Sequence, residues 1–379
     1  MTRPLFSREN VSRWRFLIAR LALACLAPLT WLATRLLARN PAFVERFYSR
    51  GLYPLLSQCV SLLTGWLPIS AAELILYFGS LGLAVFLGVQ VYRLFTRPEP
   101  WMRLVRCLSL LLAIAGSAYC LFYLLWGWNY HRLTLERTLA LPETEMSTEL
   151  LEEVCTDLIG QARVMREQLP EDEAGCVVLP EDLATELTRI NGNYMALSED
   201  YPDLWGRFYA PPKIVLFSRG MSYMDTSGIF IPFTEEANLN CDMPALLQLA
   251  TASHEAAHQR GVAREDEANF MAFLSCRASD RPEFVYSGTM MALIYCMNAL
   301  HDDDYEAFAR CYSGYSEGQK RDLAQHNAYW KAFEGPVQEA SNTMNDNYLK
   351  SNAQPSGIKS YDRVVTLVLK WYAAQKAAA

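Results

Sequence analysis

The chain has 379 residues, enough for about two domains on length alone. Hydrophobic residues make up 51% of it; they crowd into residues 1–130, where the charge is mostly arginine, and the remainder is mixed and acidic like an ordinary soluble domain. A net charge of −7 leaves no basic footprint for nucleic acid and excludes that class of partner.

Three segments stay apolar for long enough to cross a bilayer: about Phe16–Leu37, Leu74–Tyr92 and Leu104–Trp128. The first contains Pro28 and has Arg20 and Arg35 near its ends, where long side chains reach the interfaces. Its basic start suits a signal peptide, but no clean small-residue cleavage site follows, so a retained anchor is expected. The third ends in Tyr123, Trp126, Trp128 and Tyr130, an aromatic belt. Residues 1–130 therefore read as a membrane anchor and residues 131–379 as a second domain. Arg3, Arg8, Arg13 and Arg15 precede the first span, and Arg93, Arg97, Arg103 and Arg106 lie around the second connection. The positive-inside rule puts both segments in the cytoplasm and residues 131–379 outside, although Arg39, Arg46 and Arg50 in the outer loop run against it. That loop, about residues 38–73, is apolar and broken by Pro and Gly from Tyr53 to Pro68. It is expected to pack on the outer domain rather than to lie along the membrane or gate a substrate.

Beyond the spans, Glu145–Gln168 repeats Leu150, Leu151, Val154, Leu158 and Ile159 on one helical stripe, and Pro180–Leu197 reads as a second helix. Lys213–Ser218 and Gly228–Phe233 have the β-branched and aromatic character of strands. Pro232 restricts the latter to an edge or a terminus. Glu236 and Asn238 then either line a cleft or cap the turn toward Met243. Later helices are expected at about 283–300, 302–311, 316–333 and 362–374. Met290, Met291, Ile294 and Met297 read as core. His301 and His326 stand alone. Seven of the ten cysteines fall outside the spans, so at least one is unpaired, and no spacing identifies a bridge.

The chemistry concentrates in His254-Glu255-Ala256-Ala257-His258. Small residues flank it, so a helix is expected. Positions four apart share a helix face, and two imidazoles there suit one zinc ion, with Glu255 as general base toward its water. Gly261 suits the left-handed turn that ends a helix, after which Glu265, Asp266 and Glu267 are all in reach as a third ligand.

These residues resemble zinc metallopeptidases. A histidine at position 264 would complete the metzincin pattern, but Arg264 stands there. Glu265-Asp266-Glu267-Ala268-Asn269 resembles the ExxxD segment of gluzincins. That resemblance implies Glu265 as the third ligand and Asn269 as a weaker acceptor for an imidazole; the short gap from His258 keeps Glu267 as an alternative. A broader resemblance, to uncharacterised bacterial membrane proteins with three spans and an extracytoplasmic domain, rests on Trp126-Gly-Trp-Asn-Tyr130, Ile231–Asn238, His254–Gly261 with Glu265–Phe270, and Gly357-Ile-Lys-Ser-Tyr361.

Tyr361 is the candidate to stabilise an oxyanion opposite Glu255. The edge strand Gly228–Phe233 is the candidate to hold an extended substrate. The expected fold is a three-helix membrane region followed by an α+β, mostly helical, zincin-like domain. The expected function is a zinc metallopeptidase of the bacterial plasma membrane, cleaving a peptide or protein at the outer surface. The metal is held by His254, His258 and Glu265, and Glu255 and Tyr361 do the chemistry. A zinc hydrolase of a non-peptide amide such as a cell-wall bond, or a non-catalytic zinc-binding sensor or scaffold, are the alternatives. An intramembrane protease ranks lower, because the motif is far from the spans in sequence.

Overall fold

The computed structural model describes residues 8–201, 208–352, 354 and 363–378. It is mostly helical, with one small sheet. In chain order the helices of the first third are α1 (Arg8–Ala24), α2 (Leu26–Leu37), α3 (Pro41–Phe43), α4 (Tyr53–Gly65), α5 (Ala71–Thr96), α6 (Pro100–Leu125) and α7 (Leu135–Thr138). A π-helical segment, Val44–Leu52, joins α3 to α4, and a 3-10 turn, Gly127–His131, follows α6. Then come α8 (Thr148–Arg166), α9 (Leu183–Asp200), β1 (Lys213–Ile214), α10 (Ser218–Tyr223), β2 (Gly228–Ile231) and β3 (Glu236–Leu239). The chain continues through α11 (Ala245–Gln259), α12 (Glu265–Arg277), α13 (Pro282–Asp303), α14 (Tyr305–Ser313), α15 (Glu317–Lys331), α16 (Pro336–Ser351) and α17 (Val364–Ala378).

Three stretches are long and apolar enough to cross a membrane: Arg15–Leu37 across α1 and α2, Ala71–Thr96, and Pro100–Leu125. Their large apolar side chains, among them Phe16, Leu29, Phe78, Phe95 and Ile114, are exposed, the outward-facing surface that lipid rather than water accommodates. The second and third are joined by a short turn, and all three pack together through α6.

The rest is organised around α11, which is buried along nearly its whole length. It lies between β3 and the helices α9, α12 and α13. The core includes Leu151, Val154, Leu158 and Ile159 of the stripe expected on α8, and Met290, Met291 and Met297 are buried as expected; Leu150 and Ile294, expected with them, are half-buried. The sheet order is β1-β3-β2, with β3 parallel to β1 and antiparallel to β2. β3 was expected as a turn. Its residues Glu236, Ala237, Asn238 and Leu239 are buried on both faces, which removes the alternation that marks a strand, and its polar composition hides it further. The expected strand at Lys213–Ser218 is two residues long and gives way to α10. α16 was not expected. All ten cysteines are free.

The apolar helices are bonded to this body. Neither alternative for Glu236 holds: from β3 its carboxylate accepts the amides of Ala71 and Ala72, the first turn of α5, at 3.0 and 2.8 Å, and pairs with Lys213 at 2.6 Å. A carboxylate there also complements the helix dipole. Glu73, in the same turn, accepts the amides of Leu216 and Phe217. At the other junction Arg132 grips Glu45 through two nitrogens at 2.8 and 2.7 Å and donates to the Gly261 carbonyl at 3.0 Å. Burial pushes the Glu45 carboxyl up, but Arg132 and Arg50 outweigh it and hold the group below the usual carboxylate range.

Two consequences are measurable in the detergent-solubilised full chain. Glu235 is buried at φ 51° with one unpartnered oxygen. Burial raises its carboxyl well above the usual range, and the Tyr53 hydroxyl only partly offsets this. A raised native pKa means stability that is full below about pH 4.5 and declines as pH climbs toward the native value. Glu235→Gln should therefore match wild type in thermal unfolding near pH 4 and exceed it increasingly toward pH 8; a constant difference would refute a buried neutral carboxyl. The second concerns Gly261, at φ +81°, where an added methyl would lie 2.8 Å from the Tyr53 ring. Gly261→Ala should cost about 1–3 kcal/mol, whereas Gly160→Ala, in open space on α8, should stabilise by about 0.5–1 kcal/mol.

Candidate metal centre

α11 ends where Gly261 takes the left-handed conformation. The Gly261 amide donates to the His258 carbonyl at 2.9 Å and the Val262 amide to the Ala257 carbonyl at 3.1 Å, the paired bonds of a glycine-terminated helix. The chain turns back and α12 opens at Glu265. Its carboxylate arrives between the two imidazoles: one oxygen is 3.2 Å from His254 Nε2 and 3.4 Å from His258 Nε2. Among the described residues, His254, His258 and Glu265 form the one group of three donors whose ligand atoms lie within 4.8 Å of one another. Bonds of about 2.0–2.1 Å in a tetrahedral site space the ligand atoms about 3.3 Å apart, so the residues present fit such an ion.

The far side of each imidazole is fixed. His254 Nδ1 lies 2.7 Å from Asn269 Oδ1, and His258 Nδ1 lies 2.6 Å from the Val262 carbonyl. Both partners accept, so each Nδ1 carries a proton and each Nε2 can present a lone pair. Asn269 is itself held by its amide nitrogen, which donates to the Tyr295 hydroxyl at 3.2 Å. Burial alone would lower the His258 pKa, but the charge and hydrogen bond of Glu265 outweigh it and lift the imidazole to about 9. Burial conversely pushes Glu265 up, and the two imidazoles hold it far below the carboxylate range.

Glu255 is buried beside this cluster, against the start of β2. Burial raises its carboxyl, while both imidazoles oppose the rise. A methyl group on Gly228 would lie 2.7 Å from its carboxylate, so only glycine lets strand and carboxylate approach this closely. β2 has a strand partner on one side only among the described residues, as its sequence suggested.

The neighbouring acids go elsewhere. Glu267, the alternative third donor, accepts the Leu135 amide at 2.9 Å and pairs with Arg264 at 2.9 Å. Asp266 sits 3.7 Å from Arg363; burial, with Glu267 beside it, raises its carboxyl to about 6. Arg264, where a third histidine would complete another pattern, also donates to the Arg132 carbonyl at 2.8 Å. Tyr361 and the whole Gly357–Tyr361 motif lie outside the described residues.

Sequence reasoning missed the neighbours that arrive from a distance, and the motif, far from the spans in sequence, meets the end of the third one in space. Trp126, the residue after α6, donates its indole N–H to the His258 carbonyl at 2.9 Å, and the rings of Trp126 and His258 meet edge-on at 5.9 Å. The Phe230 ring packs against that of Trp126 at 5.5 Å, tilted by 47°. Tyr348 is 40% exposed as a whole, but its hydroxyl lies 3.3 Å from that of Tyr130, and local burial there, then the Glu265 charge, raise it to about 12. Gln354 accepts from the Glu265 amide at 3.4 Å. The sequence signals were the aromatic run after α6 and an isolated tyrosine on a helix that was not foreseen.

Neither a curated protein nor a solved structure matches the chain. A family model described as a protein of unknown function (DUF3810) matches residues 48–369. The match spans α4 to α6, the sheet and the whole donor cluster. With most of its length covered, the chain belongs to the DUF3810 family.

Proposed function

We propose that the protein is a membrane-anchored zinc metallopeptidase. The observation that carries this reading is the meeting of His254, His258 and Glu265 donors, with both outer imidazole nitrogens already satisfied and Glu255 beside them. Those three residues would hold zinc, which supplies a Lewis acid for a carbonyl and a nucleophile at neutral pH. Glu255 accepts the proton of the attacking water and returns it to the leaving amine. Its burial favours the neutral form that makes the second transfer possible. Asn269 and the Val262 carbonyl keep the imidazoles in the right tautomer. The free edge of β2 pairs with an extended peptide, and Gly228 brings that edge against Glu255. Tyr348, the tyrosine that feels the Glu265 charge, joins Tyr361 as a candidate donor to the developing oxyanion. The substrate is a peptide or protein at the membrane surface, and the arginine bias favours a cytoplasmic N-terminus.

Metal content tests the ligands. The full chain, rather than residues 131–379, is the right material, because Glu45, Tyr53 and Trp126 hold the site from outside that range. Purified in detergent with zinc present, wild type should carry one zinc per chain. His258→Ala and Glu265→Gln should lose it; Glu255→Gln and Glu267→Gln should keep it. A folded wild-type chain that takes up no zinc would overturn the reading. A second test is cleavage of a peptide library by the chain in vesicles. Glu255→Gln should lower turnover about 10²–10⁴-fold at unchanged zinc content, and undiminished cleavage would remove Glu255 from the chemistry.

A further inference from the structure

The segment between the first and second apolar helices is turned inside out for a protein in water. Its face toward the body of the molecule is small and hydroxylated. Ser49, Tyr53, Ser57 and Ser61 are buried. Ser57 meets the Tyr209 hydroxyl at 3.1 Å, Ser61 accepts the Ala210 amide at 2.9 Å, and Thr64 donates to the Thr234 carbonyl at 2.9 Å. The opposite face carries Phe47, Leu52, Leu55, Cys59, Leu62 and Trp66, all exposed. Leu55, Leu62 and Trp66 leave 63%, 69% and 76% of their surface uncovered. Along α4 these residues recur at the three- and four-residue steps of one helix face. The π-helical turns before it take one extra residue per turn, which carries Phe47 onto the same line. A continuous apolar stripe of this kind marks an interaction surface.

We propose that α4 and the π-helical segment lie in the plane of the bilayer interface, with this stripe against lipid acyl chains. Chain geometry selects lipid as the occupant. The segment begins shortly after the first apolar stretch ends at Leu37 and finishes just before the second begins at Ala71, so both of its ends are fixed at one membrane surface. Its π-helical start is held there directly: the Tyr48 hydroxyl donates to the carbonyls of Tyr123 and Leu124, in the last turn of the third apolar helix. Exposed Arg39 and Arg46 stand at one end, the latter 5.4 Å over the Phe47 ring, and Trp66 stands at the other. Arginine and tryptophan are the side chains that settle at the headgroup level. The inference does not depend on zinc or on any catalysis.

The polar face then connects lipid to the donor cluster. The Tyr53 hydroxyl donates to the Gln259 carbonyl at 2.9 Å, one residue after His258, and its ring covers Gly261. A helix lying at the interface therefore sets the depth of the cluster relative to the headgroups.

Cys59 sits on the stripe and is exposed, so the native thiol can carry a nitroxide. The labelled full chain, with Cys25, Cys107, Cys120 and Cys241 replaced by serine, is reconstituted into vesicles of phosphatidylcholine and phosphatidylglycerol. Accessibility to oxygen and to a water-soluble nickel chelate is read by power saturation, with a second label at Asp302→Cys as the aqueous reference. We expect oxygen to dominate at Cys59 and the nickel chelate at position 302. The same nickel-dominated ratio at both positions would overturn the proposal. So would a Cys59 label reached by neither reagent whose spectrum sharpens on dilution with unlabelled chain, because a second copy would then cover the stripe.

Discussion

The backbone reversal at Gly261 is the constraint on which the candidate centre depends. It ends α11 one residue past His258 and returns the chain soon enough for the first residue of α12 to reach both imidazoles. A longer connection would add conformational freedom that the buried carboxylate would have to lose again. The reversal also places the Gly261 carbonyl under Arg132 and its Cα under the Tyr53 ring. Arg260, immediately before it, is buried between the rings of Tyr194 and Tyr209, at 4.0 and 4.9 Å, and donates to Asn191 at 2.6 Å. A cation at a helix C-terminus, stacked between two aromatic faces, is stabilised by the dipole and by the ring quadrupoles together. Burial lowers its pKa all the same.

The second theme is the use of ionic groups as joints. Glu45, Glu73 and Glu236 are each almost fully buried, and each links an element next to the apolar helices to the body that carries α11. Burying a carboxylate is costly unless every oxygen is occupied. Glu236 meets two amides and a lysine, and Glu45 meets two arginines. Removing one partner from such a joint would leave the other charge stranded, so these contacts fix geometry more firmly than an exposed ion pair does. Trp126 adds a neutral joint at the centre itself.

How much of this was legible in the sequence follows from the range of each interaction. The HExxH helix, its glycine terminator and the return of Glu265 depend on residues a few positions apart, and all three were readable. The stripes of α8 and α13 were readable for the same reason. β3 was not, since a strand buried on both faces and rich in polar residues carries no period. Trp126 and Gln354 reach the centre from segments far away in the chain, and no local pattern announces that. The choice between Glu265 and Glu267 was open in the sequence because both follow the turn. In space the Glu265 carboxylate lies beside both imidazoles, while Arg264 and the Leu135 amide engage Glu267 elsewhere.

The lengths of α5 and α6 add a mechanical consequence. Each has 26 residues, about 39 Å at 1.5 Å per residue, but Glu73, Arg93, Arg103 and Arg106 near their ends leave uncharged stretches that match a hydrocarbon layer of about 30 Å. Helices adapt to bilayers of other thickness by tilting. Here tilt is not free to vary alone, because the start of α5 is tied to β3 through Glu236 and the end of α6 to His258 through Trp126. Any change in the tilt of α5 or α6 is thereby carried to the spacing between α11 and the sheet. Thinner and thicker bilayers would load the same two joints in opposite directions.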